Sequence, residues 1–185
     1  IGLPVPGGFT ITTEACAAYN QRGQTWPAGL EKEVRDNLLA LERAAKKKFG
    51  AAKNPLLVSV RSGAARSMPG MMETILNLGL NDASVEGLAK ASSNRRFALD
   101  AYRRLIMMYG STAKGIHREH FETAFDETKS TRTRCRLGRS ADAKVLDPDV
   151  NHEELEELVI SFKGIYRRDC GQDFPQDPFE QLQGA

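Results

Sequence analysis

The sequence predicts an α+β protein, a small α/β unit over residues 1–81 followed by a mostly helical unit over residues 82–180. Three observations predict it. Two apolar runs of strand length, Leu56-Leu57-Val58-Ser59-Val60 and Thr74-Ile75-Leu76-Asn77-Leu78, lie in the first half. Before them, apolar residues recur at helical steps, and after Asp82 only helical spacing is found. No internal repeat interrupts this order.

Taken in turn, Phe9-Thr10-Ile11-Thr12 reads as a strand that hands over to a helix capped near Thr12 or Thr13. Leu30, Val34, Leu38, Leu41, Ala45 and Phe49 predict an amphipathic helix that stops at Gly50. Pro55 then precedes a short buried strand of β-formers, which delivers Arg61 to its end. Thr74–Leu80 predicts the next strand. Helices follow at 85–91, 95–109, 118–129 and 153–168. In the last, Leu155, Leu158, Val159, Phe162, Ile165 and Tyr166 make the apolar face, while an acidic start and Arg167 and Arg168 near the end suit the helix dipole. Pro178 suits the first turn of a further helix.

Between the two strands, the chain turns through Arg61-Ser62-Gly63 into a small-residue, Met-rich loop ending at Glu73-Thr74. Gly63 and Gly70 permit close backbone approach and positive φ, and the N–H groups and hydroxyls of Ser62 and Ser67 can donate to phosphate oxygens. Arg61 adds a planar fork of donors matched to a phosphate. On the pattern alone, an ordinary glycine turn beside an exposed arginine fits equally well.

The wording of the segment decides between them. Val58-Ser59-Val60-Arg61-Ser62-Gly63-Ala64 and then Ser67-Met68-Pro69-Gly70-Met71-Met72-Glu73-Thr74-Ile75-Leu76-Asn77-Leu78-Gly79-Leu80-Asn81 closely resemble the nucleotide-binding domain of the pyruvate, phosphate dikinase family. The resemblance extends to Gly2–Thr10 with Thr13-Glu14-Ala15-Cys16, to 97–109 with Tyr102-Arg103-Arg104, and to Phe174–Pro178. It is specific up to about Asn81 and looser after Tyr109. Gly7, Ala65-Arg66 and Glu73 depart from the family's usual wording, and none of these removes Arg61 or the glycines.

The resemblance implies an ATP-grasp-like domain whose α/β subdomain is interrupted by a helical insert, with residues 181–185 starting the return. It implies ATP, with Mg²⁺, as ligand, and a first half-reaction in which a histidine of a separate swivelling domain is phosphorylated before pyruvate becomes phosphoenolpyruvate. Phosphate and pyruvate are the further substrates. Arg61 is the expected catalytic clamp, and Arg61, Ser62, Gly63, Ser67, Met68, Gly70, Met71, Met72 and Thr74 the expected phosphate-binding set, in a mobile loop that closes over the nucleotide. The complete enzyme is expected to be a homo-oligomer. At 185 residues, starting on an apolar segment without methionine and ending in a fresh helix, the chain reads as a piece of such an enzyme. The family's Gly-Gly-Lys-Gly segment is expected before Ile1 and the magnesium carboxylates after Ala185, so the piece should be inert and bind Mg-ATP weakly.

A hydrophobic fraction of 41%, a charged fraction of 27% and a formal charge of +2 suggest no nucleic-acid, membrane or strongly acidic partner. No apolar run approaches a membrane span, and no signal peptide is visible. Cys16, Cys135 and Cys170, odd in number and without CxxC spacing, suggest free thiols in a reducing compartment, cytoplasmic or organellar. His117 and His120 could share a helix face but lack a third metal ligand at a defined spacing, so no metal is assigned to them. His152 is placed at the start of the last long helix. The run Lys129, Arg132, Arg134, Arg136 and Arg139, without interleaved aromatics, reads as a solvated loop. Two alternatives stand beside the dikinase: a phosphoenolpyruvate synthase-like phosphotransferase, which uses water in place of phosphate, and a non-catalytic helical interaction module.

Overall fold

A computed structural model describes residues 5–63, 73–140 and 143–185. Its elements are α1 (Thr13–Gln21), α2 (Leu30–Ala45), β1 (Lys48–Phe49), β2 (Pro55–Leu56), β3 (Val58–Arg61), β4 (Thr74–Leu78), α3 (Asp82–Ser92), α4 (Arg95–Met108), a π-helical turn (Tyr109–Ala113), α5 (Arg118–Thr128), a second π-helical turn (Lys129–Thr133), α6 (Arg134–Arg136), a 3-10 turn (Asp147–Asp149), α7 (His152–Cys170) and α8 (Pro178–Gly184). Helix dominates and the sheets are small, so the class is α+β.

The first half departs from the sequence reading in three places. Phe9–Thr12 is irregular, with Thr12 serving as the N-cap of α1. Helix α2 ends at Ala45 rather than at Gly50, because Lys46 turns left-handed at φ 52° and the Glu42 carboxylate accepts from the Phe49 amide at 2.8 Å. Phe49 keeps helical spacing from Ala45 but lies in β1, which pairs in parallel with β2. The expected buried strand is two pieces, β2 and a half-buried β3 whose residues alternate between partly covered and exposed.

Strands β3 and β4 form an antiparallel hairpin with Val60 opposite Ile75 and Arg61 opposite Thr74. Ile75 and Leu78 point into the core and carry the hairpin onto α4. Gly79, at φ +101°, has to be glycine, since a Cβ there would sit 2.8 Å from the Phe49 ring and 3.0 Å from the Leu56 carbonyl. The chain then enters α3 through a capping box, in which Asn81 accepts from the Ser84 amide and Ser84 accepts from the Asn81 amide, each at 2.8 Å.

Helix α4 packs on α3, α7 and β4, and α5 packs on α7. Tyr102, Tyr109, Tyr166 and Phe174 stack edgewise or tilted with centroids 5.5–6.2 Å apart, and Phe121 meets Phe162 at 5.0 Å. Arg103 is buried as well, paired with Asp100 at 2.6 Å and stacked over Phe125 at 4.0 Å. Helix α7 begins at His152, capped by Asn151 and Glu154, and ends at Gly171 in the left-handed region. Helix α8 returns to the hairpin: the buried Gln181 side chain accepts from the Gly79 amide at 2.9 Å and donates to the Leu80 carbonyl at 2.8 Å.

The basic segment is helical over 129–136 rather than a loop, and among the described residues four of its five cations, all but Arg134, find carboxylates while most of the segment stays exposed. Glu154 accepts from Arg136 at 2.8 Å and from the Thr133 hydroxyl at 3.0 Å, Asp149 accepts from Arg139 at 2.7 Å, and Lys129 reaches Asp126. These carboxylates offset the cationic run, and Asp149 and Glu154 come from the turn before α7 and from α7 itself.

Candidate functional site

The hairpin end is where the sequence places the phosphate loop. β-Formers in alternation bring Arg61 to the last position of β3, where it is exposed. Beyond it, Ser62 closes the turn, donating from its amide and its hydroxyl to the Glu73 carbonyl, each at 3.2 Å. Gly63 does not take a positive φ, and a Cβ there would meet no atom of the described residues within 4 Å. Thr74, opposite Arg61, is partly covered. Ser67, Met68, Gly70, Met71 and Met72, with the closing motion expected of their loop, lie outside the described residues. Of the expected set, Arg61, Ser62, Gly63 and Thr74 are thus gathered at one end of one hairpin.

The sequence reading missed what faces them. A cleft of about 450 Å³ runs beside the hairpin end, with Glu73 and Thr74 on one side. Its other side is Ser111 and Thr112 of the first π-helical turn and Gly115 to Arg118 at the entry to α5. Gly115 has φ +68° with no atom of the described residues within 4 Å of a Cβ placed there, and Gly110 is buried where a Cβ would press on Phe121. These two glycines flanking Ser111-Thr112, just ahead of His117, are the signal that could have marked the segment.

A smaller cleft of about 270 Å³ shares Gly115, Ile116 and His117 with the first and adds Lys114, His120 and Asp169. His117 and His120 lie with ring centroids 5.9 Å apart, and Asp169 accepts from or shares a proton with His120 Nδ1 at 2.7 Å. Arg168, the larger influence, and His120 together hold the Asp169 carboxyl down to about 2. Burial pushes the hydroxyl of Tyr109, the first residue of the π-helical turn, up to about 12, so it stays protonated. Among the described residues, no group of three or more His, Cys, Asp or Glu side chains is placed to hold a metal ion. No helix among the described residues is long and apolar enough to cross a membrane.

No protein-family model matches the chain. Curated relatives do. Pyruvate, phosphate dikinase of Giardia intestinalis is 50% identical over 185 residues, which is all of this chain and 20% of that protein. The chain is homologous throughout to one segment of pyruvate, phosphate dikinase. The dikinase of Clostridium symbiosum is 44% identical over 186 aligned residues, again covering the whole chain and 20% of the relative, and the chloroplastic dikinase of Mesembryanthemum crystallinum is 44% identical, with 18% of it covered. The chain spans about a fifth of the length of the dikinases it matches.

Proposed function

We propose that this chain is part of the nucleotide-binding domain of a pyruvate, phosphate dikinase, an ATP-grasp-like fold divided into an α/β part (1–81), a helical insert (82–180) and the start of a return (181–185). The complete enzyme would convert ATP, inorganic phosphate and pyruvate into AMP, diphosphate and phosphoenolpyruvate, relayed through a phosphohistidine on another domain. The observation that carries this reading is the match to dikinases along every part of the chain, including the Arg61 hairpin. The bonds from Gln181 to the backbone of Gly79 and Leu80 support a return of the chain to the first part.

Phosphoryl transfer is governed by positioning and charge neutralisation more than by covalent steps on the protein. Arg61, at a strand end and free of burial, can clamp the transferring phosphates through two parallel N–H donors. Ser62 to Thr74 would cover the nucleotide, with Gly63, Ser67, Met68, Gly70, Met71 and Met72 contributing backbone and small or flexible side chains. Magnesium would accompany ATP and spread the charge of its phosphates; the carboxylates that hold it belong to the rest of the enzyme.

The test is Arg61→Ala in the complete enzyme. ATP-dependent diphosphate formation is expected to fall by about 100-fold or more, with the pyruvate half-reaction at the remote domain kept. Equal loss of both half-reactions would instead point to misfolding, and no loss of either would overturn the role of Arg61.

A further inference from the structure

We propose that the cleft between the hairpin end and the 111–118 segment binds the polyphosphate of the nucleotide, so that the helical part supplies the second wall of the phosphate site. This rests on the nucleotide reading above and deepens it by naming Thr112 and Arg118 as phosphate contacts.

Register gives the first argument. Directly opposed residues of an antiparallel pair project from the same face. Arg61 opposes Thr74, and Thr74 lines the cleft, so Arg61 stands at its rim. The opposite wall supplies the complement: the Thr112 hydroxyl, the exposed His117 ring and the Arg118 guanidinium all border the same space.

Backbone gives the second. A π-helical turn widens a helix locally, and here it occupies the stretch that faces the hairpin. Gly115 follows with no Cβ and, among the described residues, no atom within 4 Å of where one would stand, which leaves its backbone open to close approach by a ligand. About 450 Å³ is within the range of small-ligand sites, roughly 300–1,000 Å³.

Charge gives the third. Within the cleft Arg118 balances Glu73, and Arg61, which the register sets at the rim, tips the charge positive; the adjoining cleft adds Lys114 together with Asp169. Arg118 pairs with Glu122 at 2.7 Å on the exposed surface, a weak contact of a kind that a phosphate can displace.

The probe is inorganic diphosphate added to the isotope-labelled chain, followed by amide NMR, with sulfate at equal ionic strength as control. Saturable shifts at Thr74, Thr112, Gly115, His117 and Arg118 are expected, with affinity about tenfold weaker in Arg118→Gln and in Thr112→Val. Shifts confined to other residues, shifts matched by sulfate, or shifts unaffected by both substitutions would overturn the proposal. In the complete enzyme each substitution should also raise the KM for ATP about tenfold. Loss of AMP formation in Arg61→Ala beside unchanged kinetics in both cleft variants would remove this cleft and keep the nucleotide reading. Saturable diphosphate shifts here, in an enzyme that forms no AMP, would do the reverse.

Discussion

The β3–β4 hairpin keeps its charged end in solvent, whereas α4, α5 and α7 keep their aromatic rings out of it. Arg61, Ser62 and Gly63 are exposed, while Tyr102, Phe121, Phe162 and Tyr166 have almost no accessible surface. Ile75 and Leu78 of β4, with the half-buried Val58 and Val60 of β3 packed beside them, join the hairpin to that core. Stability therefore resides chiefly in the helices, and the proposed chemistry at the tip of an element that contributes little burial there. Substitutions in the two regions should separate cleanly into those that unfold the chain and those that silence it.

The largest effect is expected from Phe162→Ala, which empties a fully buried ring site against Phe121 and should cost about 3–5 kcal/mol in denaturant unfolding. A cost under about 1 kcal/mol would mean that the core does not rest on this pair. Gln181→Ala comes next. It strands the buried Gly79 amide and should cost about 1–3 kcal/mol, and a neutral result would show that α8 does not hold the hairpin base. Arg61→Ala should change stability by no more than about 0.5 kcal/mol, since the residue is exposed at a strand end. A large loss of stability there would break the separation between the regions.

The smallest effect is a pH dependence. The Asp169 carboxyl is held at about 2, below the roughly 3.9 of an unfolded chain. A depressed carboxyl stabilises the fold fully above the unfolded value and loses that contribution as pH falls through the folded one. Asp169→Asn should therefore flatten the acid arm of the stability profile between about pH 4 and pH 2, leaving its slope above pH 5 unchanged. An unaltered acid arm would show that the Arg168–Asp169–His120 contact is not kept in solution.

The same contrast explains what the sequence made legible. Helices α4 and α7 could be read because their apolar residues recur on one face and because the acidic start and basic end of α7 suit the helix dipole; the caps Asn94, Asn151 and Gly171 are visible in the structure alone. The tip of the hairpin could be read because its wording is distinctive. Phe49 misled because its spacing continues α2, while the decisive groups, Glu42 capturing its amide and Leu56 pairing with it, make their contacts beyond the reach of periodicity. The segment at 129–139 misled because its partners Asp149 and Glu154 are distant in sequence. The wall at 111–118 went unseen because its one signal, Gly110 and Gly115 on either side of Ser111-Thr112, gains meaning only once the fold sets it opposite Glu73 and Thr74.

The most direct test of the central claim is AMP formation by the complete enzyme given Mg-ATP and pyruvate, with and without inorganic phosphate. AMP that appears only with phosphate, accompanied by diphosphate, is the predicted result. AMP formed without phosphate would contradict the dikinase reading in favour of a water-using synthase, and no AMP under either condition would contradict the phosphotransferase reading altogether.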